Sequence, residues 1–377
     1  MTDVLFITYK CGIQAIRTAN SLSRDHNFNV HILSESTPEI FEDILLDDVS
    51  VHYISDKFPV TLYRPNWIFK SATKANEIVV KNDIDLLLSR HVPIASHIVA
   101  LRLSKKHNLP WIAHFGDPWI GNPYADDILR RLIYSKKLEK SIITNAVGTT
   151  FPNERIRSMY QERYPSQSGS IHVKPNSADP NRISSLSQKK INDNKLTLLH
   201  MGNFYGIRTP IPLFDAVEKL DRDIRDNIEI HFVGNVGEYV EEIQERGLSD
   251  VIYTPGSVSH DEAIKMIKGS DALVLIDAPV EDSPFLPAKL VEYCFTGNPI
   301  LGITPENGTS AEVIRTTKTG EIVSPQDSDA IAKSIEQIYD KYKKGELEID
   351  PDWNEINKYS ASQATSILAD IFSEEVE

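Results

Sequence analysis

Lys289 and Glu292 lie three residues apart in Asp282-Ser-Pro-Phe-Leu-Pro-Ala-Lys-Leu-Val-Glu-Tyr-Cys-Phe-Thr-Gly-Asn-Pro299. That spacing sets a cation and a carboxylate on one face of a helix. Pro287 suits a first helical turn, and Gly297 with Pro299 suits a helix stop, so the predicted helix opens beside Lys289. Free N–H groups at such an end attract phosphate. A lysine there can neutralise a diphosphate, and a carboxylate one turn on can hold two ribose hydroxyls. The plain alternative is a surface i,i+3 salt pair. The proline start, the Gly-Asn-Pro stop and the apolar run ending at Ile276 favour the phosphate reading.

Two further segments could join such a site. His200-Met-Gly-Asn-Phe-Tyr-Gly-Ile-Arg208 carries Gly202 and Gly206, which permit close backbone approach. Its Arg208 offers a planar fork suited to phosphate oxygens, against the alternative of an ordinary loop arginine. Trp111-Ile-Ala-His-Phe-Gly-Asp-Pro-Trp119 joins a strand to a loop. There Trp119 offers a stacking face for a sugar or lipid, or Asp-Pro is a turn starter and Trp119 an anchor.

The elements that must position these groups alternate strand and helix, the signature of parallel α/β sheets. Val4–Ile7, Val30–Leu33, Asp85–Leu88, Trp111–Ala113 and Val147–Thr149 read as strands of a first half, with helices after Gly12 and around 95–106 and 126–141. The rhythm restarts at Leu196–Leu199 and continues through Ile228–Val233, Val251–Tyr253 and Ala272–Ile276, with a helix carrying Ile211, Phe214, Val217 and Leu220. The polar stretch 181–194 reads as an interdomain linker. A last segment with Ala361, Ala364, Ile367, Leu368, Ile371 and Phe372 on one side must pack on something. Doubly wound domains bind ligands at the carboxyl ends of their strands, so a cleft between two of them is expected.

The chain of 377 residues suits two domains. Its 41% hydrophobic and 25% charged residues are those of a globular protein. Two cysteines indicate no disulfide framework and fit a reducing compartment. A net charge of −14 argues against nucleic acid as the main partner. Met1–Asp3 lacks the basic region of a secretory leader, and no apolar run is long enough to span a bilayer, so a cytoplasmic location is expected. Arg130, Arg131, Lys136, Lys137 and Lys140, interleaved with Leu129, Leu132, Ile133 and Leu138, read as a solvated helix face. The alternative is a peripheral contact with anionic lipid at the inner membrane face. No Asp-x-Asp, zinc spacing, nucleophile elbow or Walker loop is present, so no metal site and no cofactor beyond a donor nucleotide are expected.

Pro287–Tyr293 resembles the nucleotide-sugar motif of GT-B glycosyltransferases, specifically the retaining family 4, whose members often read Pro-Ser-Lys-Leu-x-Glu-Tyr. The resemblance implies an α/β GT-B fold of two Rossmann-like doubly wound domains facing a central cleft. Residues 1–182 would form an acceptor domain, 195–355 a nucleotide-sugar domain, and the helix 356–377 would pack back on the first. It makes Glu292 the ribose-binding glutamate, with Lys289 and Leu290 beside the donor, and Arg208 the second of a family pair of diphosphate-binding basic residues. Asn203, after Gly202, stands where the first of that pair usually is. Pro284 stands where the family carries its first glutamate, with Glu281 and Asp282 just before it. Gly12, in Tyr9-Lys-Cys-Gly12, matches one of two glycines that close over the diphosphate. Asp117 would contact donor sugar or acceptor, and His114 lies near the family's active-site histidine, although a packed strand-end histidine is the plain alternative. Gly256, Val258 and His260 resemble the segment framing the base pocket, and His172–Asp179 a hinge strand or an ordinary turn. The implied activity is retaining, metal-independent transfer from a UDP- or GDP-sugar to a hydroxyl of a glycan or lipid-linked acceptor, in surface polysaccharide or glycolipid synthesis. A non-catalytic GT-B-like binding subunit and a non-hydrolysing nucleotide-sugar epimerase are the rival readings.

Overall fold

In the computed structural model the described residues are 1–37, 41, 44–55, 64–122, 133–204 and 206–376. They divide into two compact units, Met1–Ser177 with Tyr359–Glu377, and Ala178–Lys358. Arg130, Arg131, Leu129 and Leu132 of the basic segment lie outside the described residues.

Unit 1 holds a seven-stranded sheet of β1 (Thr2–Thr8), β2 (Phe28–Ser34), β3 (Ser50–Tyr53), β4 (Leu86–His91), β5 (Trp111–Phe115), β6 (Gly148–Phe151) and β7 (Ile171–Val173). Their order is β3-β2-β1-β4-β5-β6-β7, and the pairings are parallel. Being buried on both faces, the central strands are apolar runs rather than alternating ones. Val4 and Phe6 face one core and Leu5 and Ile7 the other. The helix Ala361–Val376 packs against the helix Ile13–His26, so its apolar stripe is satisfied within unit 1. Leu368, Ile371 and Phe372 join the core there, Phe372 meets Phe28 edge-on at 5.8 Å, and Ser21 Oγ donates to Ala361 O at 3.1 Å.

Unit 2 holds six parallel strands, β8 (Leu196–Met201), β9 (Ile228–Val233), β10 (Ile252–Gly256), β11 (Ala272–Ile276), β12 (Ile300–Ile303) and β13 (Gly320–Val323). The order β10-β9-β8-β11-β12-β13 reverses between β8 and β11, the switch point where doubly wound sheets open a crevice at the strands' carboxyl ends.

The polar stretch after Ser177 is held against unit 2 over much of its length. It contains the short helix Pro180–Ser185, capped by Asp179. Lys190 pairs with Asp271 at 2.5 Å, and Lys189 with Glu262. A Cβ on Gly269 would sit 1.9 Å from the Lys189 carbonyl oxygen, so only glycine lets the strap lie there. Asn298 supports this region too, its amide donating to Ile267 O and Ser270 O at 2.9 and 2.7 Å. Those carbonyls end the helix His260–Gly269, which is what the asparagine of Gly-Asn-Pro does.

Candidate functional site

In unit 2 the segments that could carry chemistry converge on the switch point. β8 delivers His200 and then Gly202, and β11 delivers Asp277 immediately after Ile276. The helix after β11 spans Ala288–Cys294 with Pro287 as its extended N-cap. Buried Leu290, Val291 and Tyr293 anchor one side of it, and the Tyr293 hydroxyl accepts from Met201 N at 2.7 Å. That clamp fixes β8 against the helix and brings Lys289 to the end of β8.

Lys289 Nζ lies 3.0 Å from His200 Nε2. The other ring nitrogen lies 3.0 Å from the Val274 carbonyl, which can only accept, so Nδ1 carries the proton and Nε2 accepts from the lysine. Burial, reinforced by Lys289, holds His200 far below the usual imidazole range and hence neutral. Burial and the neighbouring Arg208 charge pull Lys289 down to about 7, with Asp277 acting against them. Arg208 is buried, with Nη2 3.4 Å from Asp277 Oδ1. The other oxygen of that carboxylate accepts from Thr304 Oγ1 at 3.1 Å. Lys289 and Arg208 thus both lie under the influence of the Asp277 carboxylate.

Gly202 is the close-approach position. Its φ of +115° suits glycine, and a Cβ there would stand 3.0 Å from Lys289 Nζ. Glu292 is buried, and its Oε1 accepts from His260 Nε2 at 2.8 Å. His260 opens a helix capped by Ser259, so it serves the carboxylate rather than standing apart from it.

Other expected residues are placed differently. Asn203 Oδ1 accepts from Asn235 N at 2.7 Å, holding the Gly234 turn against Gly202 rather than offering charge. Gly256 ends β10, and its carbonyl accepts from Gly234 N at 2.9 Å. Leu290 points into the core, and its N–H donates to Pro287 O at 3.1 Å. The helix is also only seven residues long, so the attraction for phosphate expected of its N-terminus falls mainly to Lys289 and Arg208.

In unit 1, Gly12 is the extended N-cap of the helix Ile13–His26, with no atom within 4 Å of a Cβ placed on it. His114 is buried, with Nδ1 2.9 Å from Thr150 Oγ1. Burial, and then Lys174 and Arg90, hold it far below its usual range. Asp117 is half-buried, and its charge acts on Arg90. Trp119 is fully buried and so offers no stacking face; it is an anchor. Its N–H donates to Tyr160 Oη at 3.1 Å, and that hydroxyl donates to Glu139 Oε2 at 2.8 Å. The buried Glu139 also accepts from Ile120 N at 3.2 Å, Arg163 Nη1 at 2.8 Å and Tyr164 Oη at 2.8 Å. This satisfied carboxylate ties down the loop that carries Asp117.

His200, Asp277, Arg90 and Lys174 were not singled out from the sequence. A signal existed for Asp277, a charge placed directly after an apolar strand run, and for Arg90, which follows Leu86–Leu88 after Ser89.

Two family profiles match this chain: glycosyltransferase family 4 over residues 12–182, and glycosyl transferases group 1 over residues 181–349. Together they span residues 12–349. The chain belongs to the group 1 glycosyltransferases. It is similar in structure to Anabaena HepE in complex with UDP and glucose, at 16% identity and a TM-score of 0.69, covering 99% of this chain and 100% of that one. Sucrose-phosphate synthase from Thermosynechococcus elongatus aligns with a TM-score of 0.75 at 14% identity, covering 100% and 99%. WaaG, a glycosyltransferase involved in lipopolysaccharide biosynthesis, aligns with a TM-score of 0.68 at 13% identity, covering 98% and 99%. No curated protein sequence matches the chain. The fold of this glycosyltransferase is therefore GT-B, with two Rossmann-like domains. Among its described residues no helix is long and apolar enough to cross a membrane.

Proposed function

We propose that this glycosyltransferase moves a sugar from a nucleotide diphosphate sugar to a hydroxyl acceptor with retention and without a metal, in the synthesis of a surface polysaccharide or glycolipid. The observation that carries the reading is the grouping of Lys289, Arg208 and Gly202 at the carboxyl ends of β8 and β11, with Glu292 one turn further along the same helix. In this reading unit 2 is the donor domain and unit 1 the acceptor domain. Glu292, oriented by His260, takes the two ribose hydroxyls, and Gly256 borders the base. The backbone at Gly202 and the side chains of Lys289 and Arg208 take the diphosphate. HepE, bound to UDP and glucose, favours a uridine nucleotide as the donor's leaving group.

As the bond to the anomeric carbon breaks, negative charge gathers on the leaving diphosphate and positive charge on the sugar ring. Fixed cations aimed at the developing charge lower the barrier without reorganising, and Arg208 and Lys289 supply that charge here. A partly deprotonated Lys289 takes up a proton as the diphosphate binds. The leaving phosphate assists attack on the same face, so no protein nucleophile is required. Asp117 and His114, in unit 1, contact the acceptor. The WaaG likeness favours a lipid-linked or polysaccharide acceptor, reached by peripheral contact with the inner face of the membrane.

The test is release of UDP or GDP from nucleotide sugars with candidate acceptors, with product stereochemistry read by NMR. Arg208→Ala and Glu292→Ala should each abolish transfer in a folded protein. Near-normal turnover in either would refute the site. An inverted linkage would refute retention, and an epimerised free nucleotide sugar would refute transfer.

A further inference from the structure

The face of the unit 1 sheet covered by the helices Ile13–His26 and Ala361–Val376 changes character at its carboxyl end. Alternate residues of a strand share a face, and the columns on this one begin apolar: Val4-Phe6, Leu86-Leu88 and Ile112 all join one core. The next residues in those columns are Thr8, Arg90 and His114. Register aligns them, with Thr8 opposite Arg90, Arg90 opposite His114, and His114 opposite Thr150. Thr150 in turn faces His172, and Lys174 continues that column, its N–H donating to Phe151 O at 2.7 Å. A layer of polar side chains thus caps an apolar one at the end of the sheet where doubly wound folds receive ligands.

That layer is short of acceptors. Arg90 Nη1 and His114 Nε2 are buried with no hydrogen-bond partner. If the Thr150 hydroxyl donates to His114 Nδ1, the ring proton sits on Nε2, available to donate. Lys174 is 1% exposed, and no side-chain acceptor holds its ammonium among the described residues. Burial, and then the Arg90 charge, pull it down to about 7. Among the described residues Arg90 feels the Asp117 carboxylate, while burial pushes the Cys11 thiol beside it up to about 11, so that it stays protonated. Buried cations and donors of this kind persist at a cost unless something pairs with them.

We propose that Arg90, Lys174 and His114 form a binding subsite for an anionic group on the acceptor glycan, a carboxylate or a phosphate ester. This rests on the glycosyltransferase reading and narrows its substrate class to charged saccharides. The anion accepts from the Arg90 fork and from His114 Nε2–H, and supplies the counter-charge that Lys174 lacks. Asp117, sharing Arg90, sets how much positive charge remains for it.

The whole protein, saturated with UDP, is titrated with glucuronate, glucose 6-phosphate and glucose by ligand-observed NMR. Glucuronate or glucose 6-phosphate should bind about tenfold or more tightly than glucose. Lys174→Met, which removes an unpaired buried amine and keeps the shape, should abolish the preference while the Tm holds or rises. Arg90→Gln should weaken it with the Tm recorded alongside. No preference in the wild-type protein, or one that survives both substitutions, overturns the subsite. UDP titrated by itself separates the two claims, because failure to bind UDP refutes the donor site in unit 2 whatever the anion result.

Discussion

Gly202→Ala is the sharpest perturbation of the proposed donor site, because it adds one methyl group and removes no functional atom. At φ +115° an alanine is strained, at a cost of about 1–3 kcal/mol in folding stability. For a domain of this size each kcal/mol lowers Tm by about 2–4 °C. The new Cβ would lie 3.0 Å from Lys289 Nζ and 3.4 Å from its Cε. The lysine tip is the part able to move, so it leaves His200 and the place where the diphosphate is expected. Losing one charge-assisted hydrogen bond costs about 1.5–3 kcal/mol, or about 10- to 160-fold in Kd. Calorimetric titration with UDP-glucose reads the affinity, and a circular-dichroism melt reads the stability. Binding within about twofold of wild type would show that the position of Lys289 is immaterial, and the phosphate assignment would fall.

Nucleotide binding should depend on pH through Lys289. The donor's diphosphate favours the charged lysine, whose own value is about 7 in the free protein. UDP-glucose affinity should therefore be flat below that value and fall as pH rises through 8, by up to about tenfold per unit; a flat profile to pH 9 contradicts this. Asp277→Asn removes the carboxylate that supports both Arg208 and the charge on Lys289, so the decline should begin at lower pH and affinity at pH 7.5 should drop. An unshifted profile would show that Asp277 does not tune the site. Glu139→Ala strands Arg163 and two tyrosine hydroxyls, and breaking such a buried pair costs about 3–5 kcal/mol. A melt unchanged within error would disprove the anchoring role.

Much of the fold was legible because buried parallel strands are unbroken apolar runs, as Leu196–Leu199 and Ala272–Ile276 are. Strands without such a run went unread: Ser50–Tyr53 and Gly320–Val323 are partly exposed, and Ile300–Ile303 is interrupted by Gly302. The helices Pro65–Lys81 and Ser328–Lys344 were passed over despite a proline at the start of one and an Asp327 cap on the other. Within the candidate site, Lys289, Glu292 and Arg208 stood out because local spacing exposed them. His200 and Asp277 did not, since their relation to Lys289 and Arg208 comes from the β8–β11 crossover, and no local pattern encodes contact across some 70 to 90 residues. Trp119 was open to two readings because a tryptophan after Asp-Pro looks alike as an anchor or a platform, and only packing on Tyr160 and Glu139 decides between them. The polar composition of 181–194 suggested an interdomain linker, and Arg182, Lys189 and Lys190 within it pair with Asp261, Glu262 and Asp271 of the second unit.

A crystal structure of the protein soaked with UDP tests the central claim most directly. The ribose hydroxyls should lie within hydrogen-bond distance of Glu292, and the diphosphate against Gly202, Lys289 and Arg208. Ordered nucleotide elsewhere, or none at saturating UDP in crystals that leave this pocket open, would contradict the account.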